Sequence, residues 1–191
     1  MRDPLIITET CMGNQYYSVE DYMFNQRELF LDEGVNAESM ASMIRQFRYL
    51  DQVDPGKEIT IYITSPGGEV TSGLAFYDVI RMSKSKVRTI CCGTAASMGA
   101  ILFLSGDERL VTRHSKIMIH DPSVTMGNAP SKALEVKETL ESIMKTREDL
   151  ARIIAERTGK TLKTVYAKTK GDAYFSADEA VKFGLATGIL E

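Results

Sequence analysis

The chain has 191 residues, of which 43% are hydrophobic and 26% charged, and this composition suits one compact domain with a normal buried core. Its 23 Lys and Arg residues against 26 Asp and Glu give a formal charge of -3, which offers no electrostatic basis for binding nucleic acid or an anionic membrane. The apolar stretch near the N-terminus is too short for a secretory signal, and the most apolar window, 95–104, is too short to span a bilayer. We therefore expect a cytoplasmic protein.

Cysteine usage gives no sign of a metal site. The chain holds three cysteines, Cys11, Cys91 and Cys92, without a Cys-x-x-Cys pair, and neither histidine is close to a cysteine in the sequence. We therefore expect buried free thiols rather than a structural zinc site, and no metal or other cofactor.

The spacing of apolar residues predicts alternating strands and helices. Strands are expected over residues 28–32, 58–64, 87–92, 109–112 and 116–120. Helices are expected after the cap Asn36, after the turn 65–68, from about Ser97, over 131–158, and from the capping box at Ser176 to Gly184. This order predicts a single α/β domain over residues 1–191, with crossover connections and an N-terminal segment over about 1–17.

The helix expected over residues 131–158 is longer than a small domain needs, since a rise of about 1.5 Å per residue gives a length of roughly 40 Å. Its apolar positions lie three and four residues apart, Arg147 interrupts them, and Gly159 is the expected end. The helix either lies on its own sheet or protrudes and meets its counterpart from another subunit, and its length alone does not decide between the two. The polar segment before it, 123–130, is expected to be a loop.

Ser97 is the first candidate for chemistry. It lies between an apolar strand and an apolar helix, and Ala95 and Gly99 stand two positions away on either side. A serine presented on a sharp strand-to-helix turn needs such small neighbours, and the helix N-terminus offers free N–H groups to a developing oxyanion. The alternative is that Ser97 only caps the helix.

A serine nucleophile needs a base, and the chain has two histidines, His114 and His120. His120 ends an apolar strand, where loops begin and catalytic groups are often presented, whereas His114 lies in a charged stretch and is expected to be solvated. Asp121 follows His120 directly but would point to the opposite face of the strand, so it is a poor partner for the imidazole. The residues alone do not choose an orienting acid among the 26 acidic side chains.

Two consecutive glycines, Gly67 and Gly68, follow the strand expected over 58–64. Paired glycines let backbone N–H groups approach a substrate closely, although a tight turn alone would also explain them. The segment is no phosphate-binding loop, because it lacks both the Gly-Lys-Ser/Thr ending and the Gly-x-Gly-x-x-Gly spacing.

Four motifs occur together in the order found in one known family. They are Ser-Pro-Gly-Gly at 65–68, Ala-Ala-Ser-Met-Gly-Ala at 95–100, Met-Ile-His at 118–120, and Asp-Ala-Tyr-Phe-Ser-Ala from 172 with Glu-Ala-Val-Lys-Phe-Gly-Leu from 179. Together they resemble the proteolytic subunit of the Clp proteases, over roughly residues 15 to 190. Four motifs in register are specific, where any one of them would be weak evidence.

This resemblance implies a crotonase-like, ClpP-type α/β core of repeated ββα units with a long protruding helix. It implies a serine endopeptidase with Ser97 as nucleophile, His120 as general base and Asp172 as orienting acid. It also implies an oxyanion hole made by the backbone N–H groups of Gly68 and Met98. The family forms seven-membered rings that the long helix stacks in pairs as a tetradecamer, with the active sites facing an internal chamber. An AAA+ unfoldase feeds unfolded polypeptides into that chamber and uses the ATP, so this chain would need no cofactor.

The sequence departs from the family pattern at several positions. Thr64 stands where Asn usually precedes Ser-Pro-Gly-Gly, Asp121 stands where Gln usually follows the histidine, and Ser-Val at 123–124 replaces Gly-Gly. In the pocket where the family's unfoldase docks, Tyr62 matches, whereas Met82 stands where an aromatic residue is usual. These departures are compatible with a divergent paralogue that works beside a second Clp-type proteolytic subunit.

Two alternatives stay open. A crotonase-like coenzyme A thioester enzyme would share the fold and a two-amide oxyanion hole without needing Ser97, His120 and Asp172. A low-activity or scaffold subunit of a mixed barrel would carry these three residues in a misaligned arrangement. Coenzyme A thioester binding without labelling of Ser97 would favour the first, and activity that appears only with a second subunit would favour the second.

Overall fold

The structure, a computed structural model, describes residues 4–124 and 132–191. Its strands are β1 (Leu5–Thr10), β2 (Gly13–Ser18), β3 (Glu28–Leu31), β4 (Ile59–Ser65), β5 (Val87–Ala96), β6 (Glu108–Thr112), β7 (Lys116–Ile119), β8 (Ala173–Phe175) and β9 (Gly188–Leu190). Its helices are α1 (Val19–Asn25), α2 (Ala37–Val53), α3 (Val70–Met82), α4 (Met98–Phe103), α5 (Ala133–Thr158), α6 (Leu162–Thr169) and α7 (Ala177–Phe183).

The larger sheet is built almost wholly from parallel strands. Within the described residues it has seven strands in the order β3-β4-β5-β6-β9, with β7 paired to β5 and β8 paired to β7. The pairing of β7 with β8 is antiparallel, and the others are parallel. Parallel neighbours need crossover connections, which α2, α3 and α4 supply between successive strands. The α/β fold with crossovers that the sequence predicts is therefore confirmed.

Strand β5 has different neighbours along its two halves. Residues 88–91 pair with β6, and residues 94–96 pair with β7. Gly93 lies between the halves with a φ of 104°, a conformation that glycine adopts at little cost. Strand β5 therefore continues to Ala96, beyond the end at residue 92 that its apolar run predicts, and β7 runs beside its final residues.

The core lies between the larger sheet and the helices that cover it. The odd-numbered residues of β4 are buried, as the alternation predicts, and they are Ile59, Ile61, Ile63 and Ser65. Helix α2 begins where Asn36 accepts hydrogen bonds from two backbone N–H groups, and its Phe47 meets Phe76 of α3 edge to face at 5.9 Å. This packing fixes the ends of β4 and β5, from which the candidate site is built.

Helix α5 packs on the core over only part of its length. Its buried side chains lie in the C-terminal third, and they are Leu150, Ala151 and Ile154. Its N-terminal half carries exposed apolar side chains, among them Leu134, Leu140 and Met144. The helix therefore protrudes, and it ends before Gly159 as predicted. Most of the loop expected over 123–130 falls at 125–131, outside the described residues.

The first 25 residues contain elements that the sequence patterns do not predict. Strands β1 and β2 form a separate antiparallel hairpin, and most of its side chains are exposed. Helix α1 follows, capped by reciprocal hydrogen bonds between Ser18 and Asp21. The N-terminal segment expected over about 1–17 thus consists largely of this hairpin.

Candidate active site

Ser97 occupies the single residue between β5 and α4. Its φ of 52° and ψ of -121° are unusual for a residue with a side chain, and such strain is typical of serines on a sharp strand-to-helix turn. Its side chain makes no capping hydrogen bond to α4. Instead, Ser97 Oγ lies 2.8 Å from His120 Nε2, so the interpretation of Ser97 as a simple helix cap is wrong.

Two glycines let the chain pack tightly around Ser97. A Cβ on Gly67 would lie 2.6 Å from the Ala96 carbonyl oxygen and 2.7 Å from Ser97 Cβ. A Cβ on Gly99 would lie 3.0 Å from the Ser65 carbonyl oxygen. The turn after β4 therefore lies directly against the turn that presents Ser97, and small residues on both sides are a steric requirement.

His120 reaches Ser97 because β7 pairs with the end of β5. Met118 is the register partner of Ala96, and its carbonyl oxygen accepts the Ser97 N–H at 2.9 Å. His120 follows directly after the last residue of β7 and is partly exposed, whereas His114 is exposed on a turn. The structure thus places His120, and not His114, next to Ser97.

Asp172 lies on the other side of the imidazole. Strand β8 pairs antiparallel with β7, so that Ala173 stands opposite Ile119 and Asp172 stands beside His120. The distance between His120 Nδ1 and Asp172 Oδ1 is 3.4 Å, which is longer than an ordinary hydrogen bond, and the Asp172 side chain is 60% exposed. An N–H on Nδ1 facing this carboxylate leaves Nε2 free to accept the Ser97 hydroxyl proton.

Asp121 faces away from the imidazole, as the strand alternation predicts. Its Oδ2 lies 2.6 Å from Arg147 Nε on α5, and its Oδ1 accepts a hydrogen bond from the Thr169 hydroxyl at 2.5 Å. Arg147 interrupts the apolar face of α5 in the sequence pattern. The structure gives it a partner outside that helix, the carboxylate of Asp121. Sequence reasoning missed this contact because its members are 26 and 48 residues apart.

Two backbone N–H groups next to Ser97 are free to bind an anion. Gly68 pairs with Val35 through its flanking residues, because Val35 donates to the Gly67 carbonyl at 2.9 Å and accepts from Glu69 at 2.8 Å. The Gly68 N–H therefore points away from Val35. Met98 is the first residue of α4, so its N–H has no partner within the helix. In the part of the chain that the structure describes, neither N–H finds an acceptor.

A cavity of about 200 Å³ opens beside these groups. Ser97, His120, Gly68 and Met98 border it together with apolar side chains, which are Val70, Ile101, Ile119, Pro122, Leu150 and Ile154. A pocket of this kind combines a reactive hydroxyl with an apolar wall, which is how binding sites commonly hold an organic substrate.

The cysteines lie apart from this chemistry. Burial raises the pKa of the Cys91 thiol to about 11, and burial also raises the pKa of Cys92. Cys91 is buried as predicted, Cys92 is partly buried, and Cys11 is exposed at the turn after β1, so the prediction of burial is wrong for Cys11. Residues 4–124 and 132–191 hold no group of His, Cys, Asp and Glu side chains suited to a metal ion, and their helices are too short or too polar to cross a membrane.

The whole sequence was compared with models of known protein families. The model described as Clp protease matches residues 11–191. The matched range includes every residue of the candidate site and every element from β2 to β9.

Proposed function

Because the chain belongs to the Clp protease family and is thus a peptidase, we propose that it is a serine endopeptidase with Ser97 as nucleophile, His120 as general base and Asp172 as orienting acid. The observation that carries this proposal is the 2.8 Å contact between Ser97 Oγ and His120 Nε2 at the mouth of an open cavity. A hydroxyl this close to an acceptor nitrogen can transfer its proton as it attacks.

The proposed reaction has two steps that share one base. As Ser97 Oγ bonds to the substrate carbonyl carbon, its proton passes to His120 Nε2, and the carbonyl oxygen becomes an anion facing the N–H groups of Gly68 and Met98. His120 then gives the proton to the leaving amine as the C–N bond breaks, which leaves an acyl-enzyme. A water molecule then attacks the ester carbonyl carbon and gives its proton to His120. As the ester C–O bond breaks, His120 passes that proton to Ser97 Oγ, which restores the hydroxyl and releases the acid product.

The walls of the cavity support a preference for an apolar side chain on the residue before the cleaved bond. Ile101 and Ile154 are buried, and Leu150 is 8% exposed. Among the described residues, no Asp, Glu, Lys or Arg side chain borders the cavity. A charged substrate side chain would lose its hydration there without gaining a partner, so we expect poor cleavage after Lys or Asp.

We further propose that the chain works in the cytoplasm as a homo-oligomer of heptameric rings stacked in pairs. In this proposal an AAA+ unfoldase spends the ATP and delivers unfolded polypeptides, and the chain itself needs no cofactor. The exposed apolar residues on the protruding half of α5 support an assembly, because a lone chain would leave Leu134, Leu140 and Met144 in water. Native mass spectrometry tests this assembly directly: a mass of seven or fourteen chains supports the rings, and a stable monomer contradicts them.

Hydrolysis of fluorogenic peptides by the purified chain is the decisive test of the chemistry. The comparison is with Ser97→Ala and with Ser72→Ala. Ser72 is a matched control because it is a partly exposed serine on α3, where its hydroxyl donates to Glu69. We expect loss of activity and of fluorophosphonate labelling in Ser97→Ala alone. Coenzyme A thioester binding without labelling of Ser97 would instead favour the crotonase-like chemistry. Activity that appears only after addition of a second Clp-type subunit would favour the scaffold role.

A further inference from the structure

Asp121, directly after His120, is held by two helices, α5 and α6. Its carboxylate receives Arg147 of α5 at 2.6 Å and the hydroxyl of Thr169, the last residue of α6, at 2.5 Å. Its backbone N–H donates to the Thr169 carbonyl at 2.7 Å. Arg147 in turn lies over the ring of Tyr166, 4.2 Å from its centre. We call these four residues, Asp121, Arg147, Tyr166 and Thr169, the Asp121 clamp.

The clamp fixes the backbone just after β7, beyond the point where the hydrogen bonds of the sheet end. The ladder between β7 and β8 ends with Ile119 opposite Ala173, so His120 is one residue beyond it. Residue 122 is proline and has no N–H to donate. Asp121 is therefore the first residue after the ladder whose backbone N–H has a hydrogen bond to another element, and the backbone of His120 is held between these two points.

The same clamp also fixes the segment that carries Asp172. Thr169 is 3% exposed and precedes Asp172 by only three residues, whereas the Asp172 side chain itself is 60% exposed. One carboxylate thus ties together the backbone next to His120 and the backbone next to Asp172. His120 and Asp172, whose imidazole and carboxylate are 3.4 Å apart, both lie within three residues of this tie.

The ion pair in the clamp is more sheltered than the other ion pairs of α5. The side chains of Arg147 and Asp121 are 27% and 30% exposed, whereas those of Arg152 and Glu148, one turn further along the helix, are 64% and 50% exposed. Exposed ion pairs within a helix contribute little to the stability of the fold. Removal of one partner from the sheltered pair leaves the other charge half-buried and the junction of three elements loose.

We propose that Arg147 and Asp121 are positioning residues, which set the imidazole of His120 between Ser97 and Asp172. This inference rests on the roles proposed above for these three residues. Neither Arg147 nor Asp121 borders the cavity. They act through His120 and not through the substrate, so their loss lowers kcat and leaves KM nearly unchanged.

The kinetic test uses the full chain and five variants, one of which, Arg147→Lys, keeps the positive charge. Arg147→Met removes the charge and keeps an apolar stem, Asp121→Asn keeps the size and an acceptor for Thr169, and the double variant removes both charges. Arg152→Met is the matched control. Displacement of a catalytic group by about 1 Å costs up to about 100-fold, so we expect kcat to fall about 10- to 100-fold in both single variants, with KM within about twofold.

The pattern across the variants separates positioning from a general loss of stability. The double variant is expected to be no slower than the slower single variant, because the two side chains act as one unit. Arg147→Lys restores part of kcat, and Arg152→Met behaves like the unchanged protein. An unchanged kcat in Asp121→Asn, or an equal loss in Arg152→Met, overturns the proposal.

A second readout does not depend on peptidase activity. The chain has two histidines, so His114→Gln leaves one imidazole, that of His120, to be followed by NMR of the ring nitrogens. We expect one dominant tautomer, with the proton on Nδ1, and a mixture of tautomers once Arg147→Met or Asp121→Asn is added. If the His120 ring signals of the folded variants are the same as those of the His114→Gln protein, the positioning role is refuted, whether or not peptidase activity is found. If the variants show the expected mixture of tautomers but the chain shows no Ser97-dependent hydrolysis, the positioning role is supported and the proposed function is refuted.

Discussion

Replacement of Gly67 by alanine tests the close approach of two turns on which the candidate site depends. Gly67 has a φ of 91°, and a Cβ there would lie 2.6 Å from the Ala96 carbonyl oxygen, 2.7 Å from Ser97 Cβ and 2.8 Å from the Met98 nitrogen. Ordinary van der Waals contacts are longer than 3.4 Å. The backbone on one side must therefore move by several tenths of an ångström to admit a single methyl group.

Gly56 provides a matched control for this substitution. Its φ is 87°, almost that of Gly67, but a Cβ there would have no neighbour within 4 Å. Both variants bear the strain of a left-handed alanine, about 1–2 kcal/mol, and both gain equally from a stiffer unfolded chain. The difference between them isolates the steric overlap, which for an overpacked site costs about 1–3 kcal/mol.

The assay is thermal and denaturant unfolding of Gly67→Ala and Gly56→Ala at one protomer concentration, since assembly makes stability depend on concentration. At about 3 °C per kcal/mol for a chain of this size, Gly67→Ala should melt about 3–9 °C below Gly56→Ala. Displacement of the Met98 N–H should also lower kcat about 100-fold in Gly67→Ala and leave Gly56→Ala unaffected. Equal melting temperatures for the two variants would refute the steric argument.

Three further predictions concern stability and specificity. Arg27→Met should lower the free energy of unfolding by about 2–3 kcal/mol, because the buried guanidinium donates to four backbone carbonyls, and a change below about 0.5 kcal/mol would contradict this. Since burial raises the pKa of Cys91 from 9.0 to about 11, the unfolded chain loses this proton first, and stability should fall by about 2–3 kcal/mol as the pH rises from 9 to 11. Cys91→Ala should show a smaller fall when both proteins are unfolded in urea across this range, and the remaining fall comes in part from the buried thiol of Cys92. Leu150→Ala should enlarge the cavity and raise the ratio of kcat/KM for Phe over Leu before the cleaved bond about tenfold, whereas the exposed Leu140→Ala should not.

The sequence predicts the central elements well because their patterns are long and local. The alternation in β4 and the Asn36 cap of α2 carry their own signal, and the structure has both elements close to the expected bounds. The flanking small residues around Ser97 likewise identify a strand-to-helix turn. Strand β5 runs past its predicted end because pairing with β7 overrides the weak strand propensity of residues 93–96.

Elements that depend on tertiary context are the ones that sequence reasoning missed. The hairpin of β1 and β2 has mostly exposed side chains on both faces, so it has no period to detect. Strands β8 and β9 have three residues each, too few for a pattern, and the residues alone therefore could not select Asp172. Sequence reasoning also missed helix α6, although Thr161 caps it in the usual way. Without this helix, the contact between Asp121 and Thr169 could not be predicted.

The order of the strands along the chain has a consequence for protein synthesis. Ser97 and the parallel strands β3 to β6 are synthesised before Asp172 and strand β8. At about 5–20 residues per second, Asp172 follows Ser97 from the ribosome by several seconds, and it must then leave the exit tunnel before β8 can pair with β7. A growing chain therefore carries Ser97 and His120 without the carboxylate beside them. With the roles proposed above for Ser97, His120 and Asp172, hydrolysis by a growing chain would wait until β8 has emerged and paired with β7.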